Sequence, residues 1–561
     1  DMFSQYVLPL VGTLFGINPS VVEELKKDYG AISHFITGTY KTPYFIVDTD
    51  GIATGKYPAD DDESFKIDPI TGNAIVGEDL VTFWCSIPKE TSKSKQPFPL
   101  AFYSHGYTTN RLEFLGFCGR FARFGIAACG IDAAGHGIDV SEIDLYWSLI
   151  EPLLKELKVE EFFWGAVAGR ARDLNNDGVP DSGGDFWTND IFHTRDIVRQ
   201  SVIDHIQMIR IARGFDGKRV SKFDYDGDGK NELLGDFDAD GVPDFGGDAK
   251  VYYHFGQSMG GILGGILAGI EPALMAVAPS SGGGGLIDLG IRSSQGGVPE
   301  AVFMPMLGPL VSFNPEADGK VTLKFLVNDV NREKEVLFAY SDKIKPLDRI
   351  ELVNLVNGEK DVIAAPADLK FRMGVAADAV DAATKRAIIG LTDESEVLPV
   401  PVTNTTDFGD ALEIRIYDGE KGELKEVINK FLMDAEFQGA IYQKGTSLVA
   451  LVTGYGLKRN SPEFRKFLQY AAMLVEPADP ISYARHYFLD PLIFGYEHKL
   501  KSGSNALIVH SNGDMAVPVN TGVALARAAG IVDYSKNDIC LDIVEKWGDA
   551  AYCSGEMAGC S

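Results

Sequence analysis

The stretch that decides the fold is Val251–Pro272, which reads VYYHFGQSMGGILGGILAGIEP. It contains an apolar strand, the turn GQSMG at 256–260 and a helix of small and aliphatic residues. This GxSxG pattern places a serine on a strained strand-to-helix turn, where the flanking glycines relieve steric conflict. The sequence therefore predicts Ser258 as a nucleophile and the backbone amide of Met259, at the helix N-terminus, as a donor to a developing negative charge. The alternative is a glycine-rich turn that only packs a helix on a sheet.

Strand and helix signals alternate on both sides of this stretch. Strand-like runs precede it at Pro99–His105 and Ile126–Asp132, a long helical pattern spans Thr194–Arg213, and a further strand-like run follows at Ala506–His510. Strands that alternate with helices predict a mostly parallel sheet covered on both faces. The loop after the first of these strands contains Tyr107, whose backbone amide we predict as the second oxyanion donor because the chain order suits that role.

The turn DAAGHG at 132–137 resembles the DxxGHG turn of the α/β-hydrolase superfamily. Together with the serine turn, it makes the chain similar to an α/β-hydrolase from about residue 80 onward. In that superfamily the similar pattern GxDxxVP after the seventh strand carries the acid of a Ser-His-Asp triad, and the stretch SNGDMAVPV at 511–519 gives that role to Asp514. The resemblance implies that this carboxylate orients a catalytic histidine and stabilises its protonated form. A solvated turn aspartate is the alternative.

The sequence leaves the catalytic histidine without an obvious position. The superfamily order is serine, acid, histidine, yet every histidine precedes Asp514. The nine histidines are His34, His105, His136, His193, His205, His254, His486, His498 and His510. Loss of the base costs such a triad about 10⁶-fold in turnover. Three explanations are open: the native protein continues past Ser561 and supplies a histidine, which we expect; His510, His486 or His136 takes the role; or the site is inactive.

Three aspartate-rich loops precede the strand that carries the serine. Two are near copies, DLNNDGVPDSGGD at 173–185 and DFDADGVPDFGGD at 236–248, and DYDGDGKNE at 224–232 lies between them. Alternating oxygen ligands with glycine at position 6 suit Ca²⁺, although glycine at position 12 departs from an EF-hand. The loops look closer to those of thrombospondin type 3 and dockerin-like repeats. The predicted ligands are Asp173, Asn175, Asp177, Asp181, Asp185, Asp224, Asp226, Asp228, Glu232, Asp236, Asp238, Asp240, Asp244 and Asp248.

We expect these calcium ions to brace the catalytic scaffold and to take no part in the chemistry. Loops of this kind suit millimolar Ca²⁺, which predicts an extracytoplasmic location, whether secreted, periplasmic or cell-surface. Flexible acidic surface loops without an ion are the alternative.

Composition argues against several classes of protein. The 52 Lys and Arg residues against 80 Asp and Glu give a net charge of −28, which argues against a nucleic-acid partner. No transmembrane span is evident, because the longest weakly charged stretch, Met259–Pro279, contains Glu271 and Pro272 and is rich in glycine. The six cysteines are too few for a disulfide scaffold of this size. Three of them lie within 540–560, where disulfides and free thiols are equally good expectations.

The predicted fold class is α/β: an α/β-hydrolase fold with an Asp-rich calcium-loop insertion and a large, partly β inserted or cap domain. Residues 1–40 are expected to form an N-terminal helical segment. The hydrolase core is expected at 41–281, with a lid-like and calcium-loop insertion at 137–248. A β-rich insertion and helical cap would follow at 282–504, and the second part of the core, apparently incomplete at its C-terminus, at 505–561.

A narrower resemblance concerns the helical segment EPADPISYA at 476–484 and the run ALARAAGIV at 524–532, which are similar to large bacterial extracytoplasmic lipases and esterases. The resemblance implies a serine hydrolase of carboxylic esters. An apolar helix near Trp147 could roof the site and favour apolar acyl groups, or it could be core. The alternatives are a serine peptidase on the same machinery and an inactive calcium-binding cell-surface or scaffold protein.

Overall fold

The computed structural model describes residues 18–47, 63–137, 155, 168–172, 180–188, 190–222, 224, 227–295, 298, 309–329, 332–377, 398–399, 409–437, 440–452, 454–458, 461–495 and 500–532. The chain divides into two compact units. Unit 1 comprises Asp1–Phe186, Ile191–Leu289 and Leu474–Ser561, and unit 2 comprises Trp187–Asp190 and Gly290–Met473.

The strands of the described residues, in chain order, are β1 (Ile32–Tyr44), β2 (Gly77–Pro88), β3 (Leu100–Ser104), β4 (Ala127–Ile131), β5 (Tyr252–Gln257), β6 (Leu274–Ser280), β7 (Leu310–Pro315), β8 (Val321–Asp329), β9 (Arg332–Ser341), β10 (Arg349–Asn354), β11 (Lys360–Ala364), β12 (Phe371–Gly374), β13 (Leu398–Pro399), β14 (Leu412–Tyr417), β15 (Leu424–Ile428), β16 (Ala435–Phe437), β17 (Ala440–Tyr442), β18 (Ile493–Phe494), β19 (Leu500–Lys501) and β20 (Asn505–Ala506). The α-helices are α1 (Pro19–Tyr29), α2 (Leu115–Arg123), α3 (Ile191–Arg213), α4 (Met259–Ile270), α5 (Leu286–Arg292), α6 (Pro462–Val475), α7 (Pro480–Ala484) and α8 (Val519–Ala528). None of these helices has both the length and the apolar character needed to cross a membrane.

Unit 1 is built on a seven-stranded sheet in the order β1-β2-β4-β3-β5-β6-β20. β1 and β2 are antiparallel, β2 is antiparallel to β4, and the strands from β4 to β20 are all parallel. The predicted mostly parallel sheet is therefore confirmed. The strand expected at 506–510 is only partly regular, but backbone hydrogen bonds from Leu507 and Val509 to β6 continue the parallel alignment beyond β20.

Helices cover both faces of this sheet, and successive strand residues pack against opposite helical layers. On one face, Tyr103 of β3 joins a hydrophobic cluster with residues of α1 and α2. On the other face, Ser104 contacts His205 of α3, and His254 of β5 lies against Gly264 of α4. β3 and β4 are buried along their whole length, as expected for parallel strands enclosed on both sides.

A disulfide joins Cys85 of β2 to Cys129 of β4. These two residues are directly opposite each other in the antiparallel pairing, and both are buried. Cys118 is a buried free thiol. No sequence signal pairs Cys85 with Cys129, and the three cysteines at 540–560 lie outside the described residues.

Unit 2 contains two four-stranded antiparallel sheets, β11-β10-β14-β15 and β12-β7-β8-β9. Their alternating apolar residues, among them Phe313, Phe325, Ile350 and Ile414, share one buried core. This arrangement is a β-sandwich, since two sheets bury their inner faces against each other. A small three-stranded sheet of β13, β17 and β16 completes the described strands of this unit.

Residues 474–504, which we predicted as part of the insertion, cluster with unit 1. The hydroxyl of Tyr487 donates to the carbonyl of Gly265 in α4 at 2.5 Å. The carboxylate of Asp479 accepts from the amide of Leu286 at the start of α5 at 2.7 Å. These contacts place the segment before β20 on the helical layer that covers the seven-stranded sheet.

Candidate active site

Ser258 occupies a sharp turn between β5 and α4. Its backbone has φ +55° and ψ −116°, a left-handed region that a non-glycine residue adopts only under strain. The amide of Ser258 donates to the carbonyl of Ser280 at 2.8 Å, and its carbonyl accepts from Ile262 at 3.1 Å. These bonds hold the strained conformation between a strand and a helix. The side chain is half-buried, so a reagent from outside can reach the region.

Two glycines make this turn possible through close backbone approach. A Cβ on Gly256 would lie 2.1 Å from the carbonyl oxygen of Gly260, and a Cβ on Gly260 would lie 2.0 Å from the carbonyl oxygen of Ser104. Both distances are far below any real carbon–oxygen contact, so glycine is required at each position. The GxSxG pattern thus marks a close backbone approach, which we call the glycine crossing, that leaves no room for a side chain at 256 or 260.

The two predicted oxyanion donors lie next to this turn. Met259 is the first residue of α4, where the amide N–H has no acceptor within the helix. Tyr107 lies in the loop after β3, the strand adjacent to β5. The carboxylate of Glu113 fixes that loop by accepting from the amide of Gly106 at 2.9 Å. Donors at a helix N-terminus and on a held loop suit a developing negative charge.

Asp514 lies at the same edge of the sheet as Ser258. Gln257 pairs with Ser280 in the β5–β6 register, and Ser280 in turn pairs with Val509. Neighbouring strands are about 4.8 Å apart, so the turn at Ser258 and the loop that follows Val509 leave the sheet about 10 Å apart. Asp514 Oδ1 accepts from the amide of Val517 at 2.9 Å, which anchors the carboxylate in its own turn.

None of the eight histidines in the described residues hydrogen-bonds to Ser258 or Asp514. His136 Nδ1 lies 3.0 Å from the carbonyl of Ala134, His486 Nδ1 lies 2.5 Å from that of Asp490, and His510 Nε2 lies 2.6 Å from that of Val517. The three histidines considered from the sequence thus donate to nearby backbone carbonyls. His498 lies outside the described residues.

Three of the histidines are buried, and burial determines their protonation state. His136, His205 and His254 are each at most 2% exposed. Burial lowers the pKa of His205 to about 4 and lowers the pKa values of His136 and His254 well below their usual range. These rings are therefore neutral at pH 7.

We expect the free energy of unfolding to fall as the pH is lowered from about 6.5 to about 5. In the unfolded chain each ring binds a proton near pH 6.5, whereas the folded chain binds it only at lower pH, so unfolding takes up protons. Each of the three rings then lowers stability by about 1.4 kcal/mol per pH unit. Urea unfolding at neutral pH and at about pH 5 measures this slope, and an unchanged midpoint would contradict neutral buried rings.

The loop 236–248 brings several predicted calcium ligands together. Carboxylate oxygens of Asp236, Asp238 and Asp240 lie within 4.8 Å of one another, and Asp238 also forms a second group with Asp244 and His34. Burial and the neighbouring carboxylates raise the pKa values of Asp236 and Asp238. Carboxylate oxygens at this spacing fit a hard cation such as Ca²⁺. His34 comes from β1, and no sequence signal connects it with this loop.

Other predicted ligands have protein partners instead. Asp248 pairs with Arg213, with Nε–Oδ1 at 3.0 Å, and the buried Asp185 pairs with Arg172 at 3.0 Å. An ion pair with arginine uses the carboxylate that a cation would need, so these two positions differ from the expected ligand set.

The remaining two loops are only partly described. In the middle loop, Asp224 accepts from the amides of Gly227 at 2.7 Å and Gly229 at 2.9 Å. Asp228 pairs with Lys230 at 3.0 Å, and Glu232 is buried. Asp181 of the first loop is described, and its amide donates to the carbonyl of Arg172. The other expected ligands of these loops, Asp173, Asn175, Asp177 and Asp226, lie outside the described residues.

Comparison with known proteins gives fold neighbours only. No family model matches the chain, and no curated protein matches it. An acetyl xylan esterase from Paenibacillus sp. R4 is 14% identical with a TM-score of 0.22, covering 49% of this chain and 63% of its own. A carboxyl esterase from Bacillus coagulans is 13% identical with a TM-score of 0.20, covering 41% and 47%.

A peroxisomal α/β-hydrolase from Saccharomyces cerevisiae is 12% identical with a TM-score of 0.21, covering 45% of each chain. This chain therefore spans less than two thirds of the length of each of these three structures. The solved structures that it resembles in part are α/β-hydrolases, esterases among them, at low identity.

Proposed function

We propose that the protein is a serine hydrolase of the α/β-hydrolase type that cleaves carboxylic esters. The observation that carries this proposal is the strained, half-buried Ser258 on a turn that only glycines at 256 and 260 allow. Storing such strain at a solvent-reachable serine above a parallel sheet has no evident structural benefit. It does raise a hydroxyl into a position for nucleophilic attack.

In this mechanism the Ser258 Oγ forms a bond to the acyl carbon, and the bond from that carbon to the alcohol oxygen then breaks. The backbone amides of Tyr107 and Met259 stabilise the oxyanion that forms between these steps. Water hydrolyses the acyl-enzyme and releases the acid. Asp514 orients the imidazole that takes the Ser258 proton and returns it to the leaving alcohol.

That imidazole is the part of the proposal that no described contact supplies. The lack of a histidine contact to Ser258 or Asp514 among the described residues favours a second candidate. That candidate is a calcium-binding scaffold or cell-surface protein built on an inactive hydrolase fold. A serine peptidase is the nearest alternative within the same chemistry. The apolar helix near Trp147 that we expected to favour apolar acyl groups lies outside the described residues.

A fluorophosphonate probe separates these candidates. We expect the full chain with Ca²⁺ present to be modified on Ser258, as located by mass spectrometry of the labelled peptide. Hydrolysis of a p-nitrophenyl ester, compared with a chromogenic peptide, then distinguishes an esterase from a peptidase. A chain that leaves Ser258 unmodified and both substrates intact would favour the inactive scaffold and end the enzyme proposal.

We also propose that Ca²⁺ binds the carboxylates of Asp236, Asp238 and Asp240 and braces the scaffold that leads into β5. The repeated spacing of the three loops and the convergence of these carboxylates support this. An extracytoplasmic location fits the same proposal, because the buried Cys85–Cys129 disulfide is of the kind that persists in oxidising compartments.

We expect 1 mM Ca²⁺, on the order of the working range for extracellular sites, to raise the melting temperature of chelator-treated protein by about 5 °C. Asp240→Asn should remove most of this increase, because it takes one charged ligand from the cluster. Asp68→Asn is the matched control, since Asp68 is a partly exposed turn aspartate that accepts from the amide of Ile70. Identical melting curves with and without Ca²⁺ would contradict the proposed ions.

A further inference from the structure

A buried polar network lies directly beneath the turn that carries Ser258. Ser104 Oγ is 2.7 Å from His205 Nε2 and 2.8 Å from His254 Nε2. Ser104 ends β3, His205 belongs to α3 and His254 to β5, so the serine joins three elements of unit 1. The three residues are 1%, 1% and 2% exposed, respectively. The catalytic steps described above use none of these side chains.

The hydrogen-bond partners fix where the protons are. His205 Nδ1 lies 2.8 Å from the carbonyl oxygen of Ser201, which can only accept, so this nitrogen carries the proton. His205 Nε2 then accepts from the Ser104 hydroxyl, and the Ser104 oxygen accepts from the N–H at His254 Nε2. His254 Nδ1 is left as an acceptor that has no partner among the described residues. Its ring lies against Gly264, where a Cβ would approach Nδ1 to 2.7 Å.

Ser104 also connects the turn that carries Ser258 with the loop after β3 that bears Tyr107. Its carbonyl oxygen is the atom that a Cβ on Gly260 would strike, at 2.0 Å. Ser104 pairs with Gly256 in the β3–β5 register, and the chain continues from Ser104 to Tyr107. A shift of the Ser104 backbone would therefore move both the glycine crossing and the loop that bears one predicted oxyanion donor.

We propose that Ser104, His205 and His254 form a positioning network that holds the end of β3 against the serine turn, so that the amides of Tyr107 and Met259 meet at one oxyanion. This role rests on the proposed hydrolase function. Because the only hydrogen bond of the His254 ring in the described residues is to Ser104, removal of the hydroxyl frees that ring. Misplacement of catalytic groups by about 1 Å costs about 100-fold in rate.

Ser104→Ala tests this role through kinetics. We expect kcat for an ester and the rate of fluorophosphonate labelling at Ser258 to fall by about 10- to 100-fold, with KM unchanged within about twofold. Ser86→Ala is the matched control, because it removes another fully buried strand hydroxyl, from β2 in the same sheet. Circular dichroism at the assay temperature shows that both variants are folded. Wild-type kcat in a folded Ser104→Ala variant would overturn the positioning role.

A second measurement tests the network without relying on activity. With ¹⁵N-labelled histidine, the wild-type protein should show His254 protonated on Nε2 and His205 protonated on Nδ1 at neutral pH. Both ring signals should shift in Ser104→Ala and stay unchanged in Ser86→Ala. The opposite tautomers would overturn the network itself. Correct tautomers in a wild-type chain that no fluorophosphonate labels would overturn the proposed hydrolase function, and with it the positioning role.

Discussion

Replacing Ser258 with alanine is expected to lower kcat for a p-nitrophenyl ester by about 10⁴- to 10⁶-fold. The substitution removes the protein atom that attacks the acyl carbon in the proposed mechanism. It leaves the glycine crossing at 256 and 260 in place, so the fold should persist. Loss of the serine hydroxyl should also remove few packing contacts, since the side chain is half-buried. The measurement is steady-state hydrolysis with the folded fraction checked by circular dichroism.

Ser94→Ala is a suitable control for this experiment. Ser94 lies in the loop before β3, at the opposite edge of the sheet, where its hydroxyl donates to the carbonyl of Gly125 at 3.2 Å. It should retain wild-type kcat. If Ser258→Ala keeps more than about one per cent of the activity, the nucleophile is another residue and the strained turn has a different purpose.

Replacing Gly260 with alanine is expected to destabilise unit 1 by about 3 kcal/mol or more and to abolish labelling of Ser258. The new Cβ would lie 2.0 Å from the carbonyl oxygen of Ser104. The Cβ would be fixed to the buried backbone of α4 and the oxygen belongs to the backbone of β3, so β3 and α4 must move apart. Urea unfolding measures the change in the free energy of unfolding.

Gly116→Ala provides the opposite expectation from the same chemical change. Gly116 is an exposed residue of α2, and a Cβ there would meet no atom within 4 Å. Alanine in a helix is favoured over glycine by about 0.5 to 1 kcal/mol, so this variant should be slightly more stable than wild type. Equal effects from the two substitutions would show that the crossing at Gly260 is less tight than the structure indicates.

The parts of the structure that were predictable from the sequence are those encoded by neighbouring residues. The serine turn follows from GQSMG because steric conflict at a tight turn is local, and the parallel sheet follows from alternating strand and helix patterns. The β-sandwich of unit 2 was visible only as alternation in runs such as β8 and β14. The region near Ser258 could therefore be located from the sequence, whereas the histidine that the proposed chemistry needs could not.

The unpredicted features all depend on which distant residues become neighbours. The Cys85–Cys129 disulfide requires the antiparallel register of β2 and β4. The approach of His34 to Asp244 requires β1 to lie beside an acidic loop. The pairing of Asp248 with Arg213 shows why spacing alone overestimates a ligand set, because an arginine on an adjacent helix competes with a cation for the same carboxylate.

The position of β20 beside β6 has a consequence for the order of assembly. β6 ends at Ser280 and β20 begins at Asn505, and the β-sandwich of unit 2 lies between them in the chain. During synthesis the half of the sheet that carries Ser258 emerges first, and the strand leading to Asp514 emerges only after the sandwich has been translated. Independent folding of the sandwich would shorten the loop to be closed and reduce its entropic cost. In the proposed mechanism, a ribosome-bound chain would therefore carry Ser258 without Asp514 until translation had passed the sandwich.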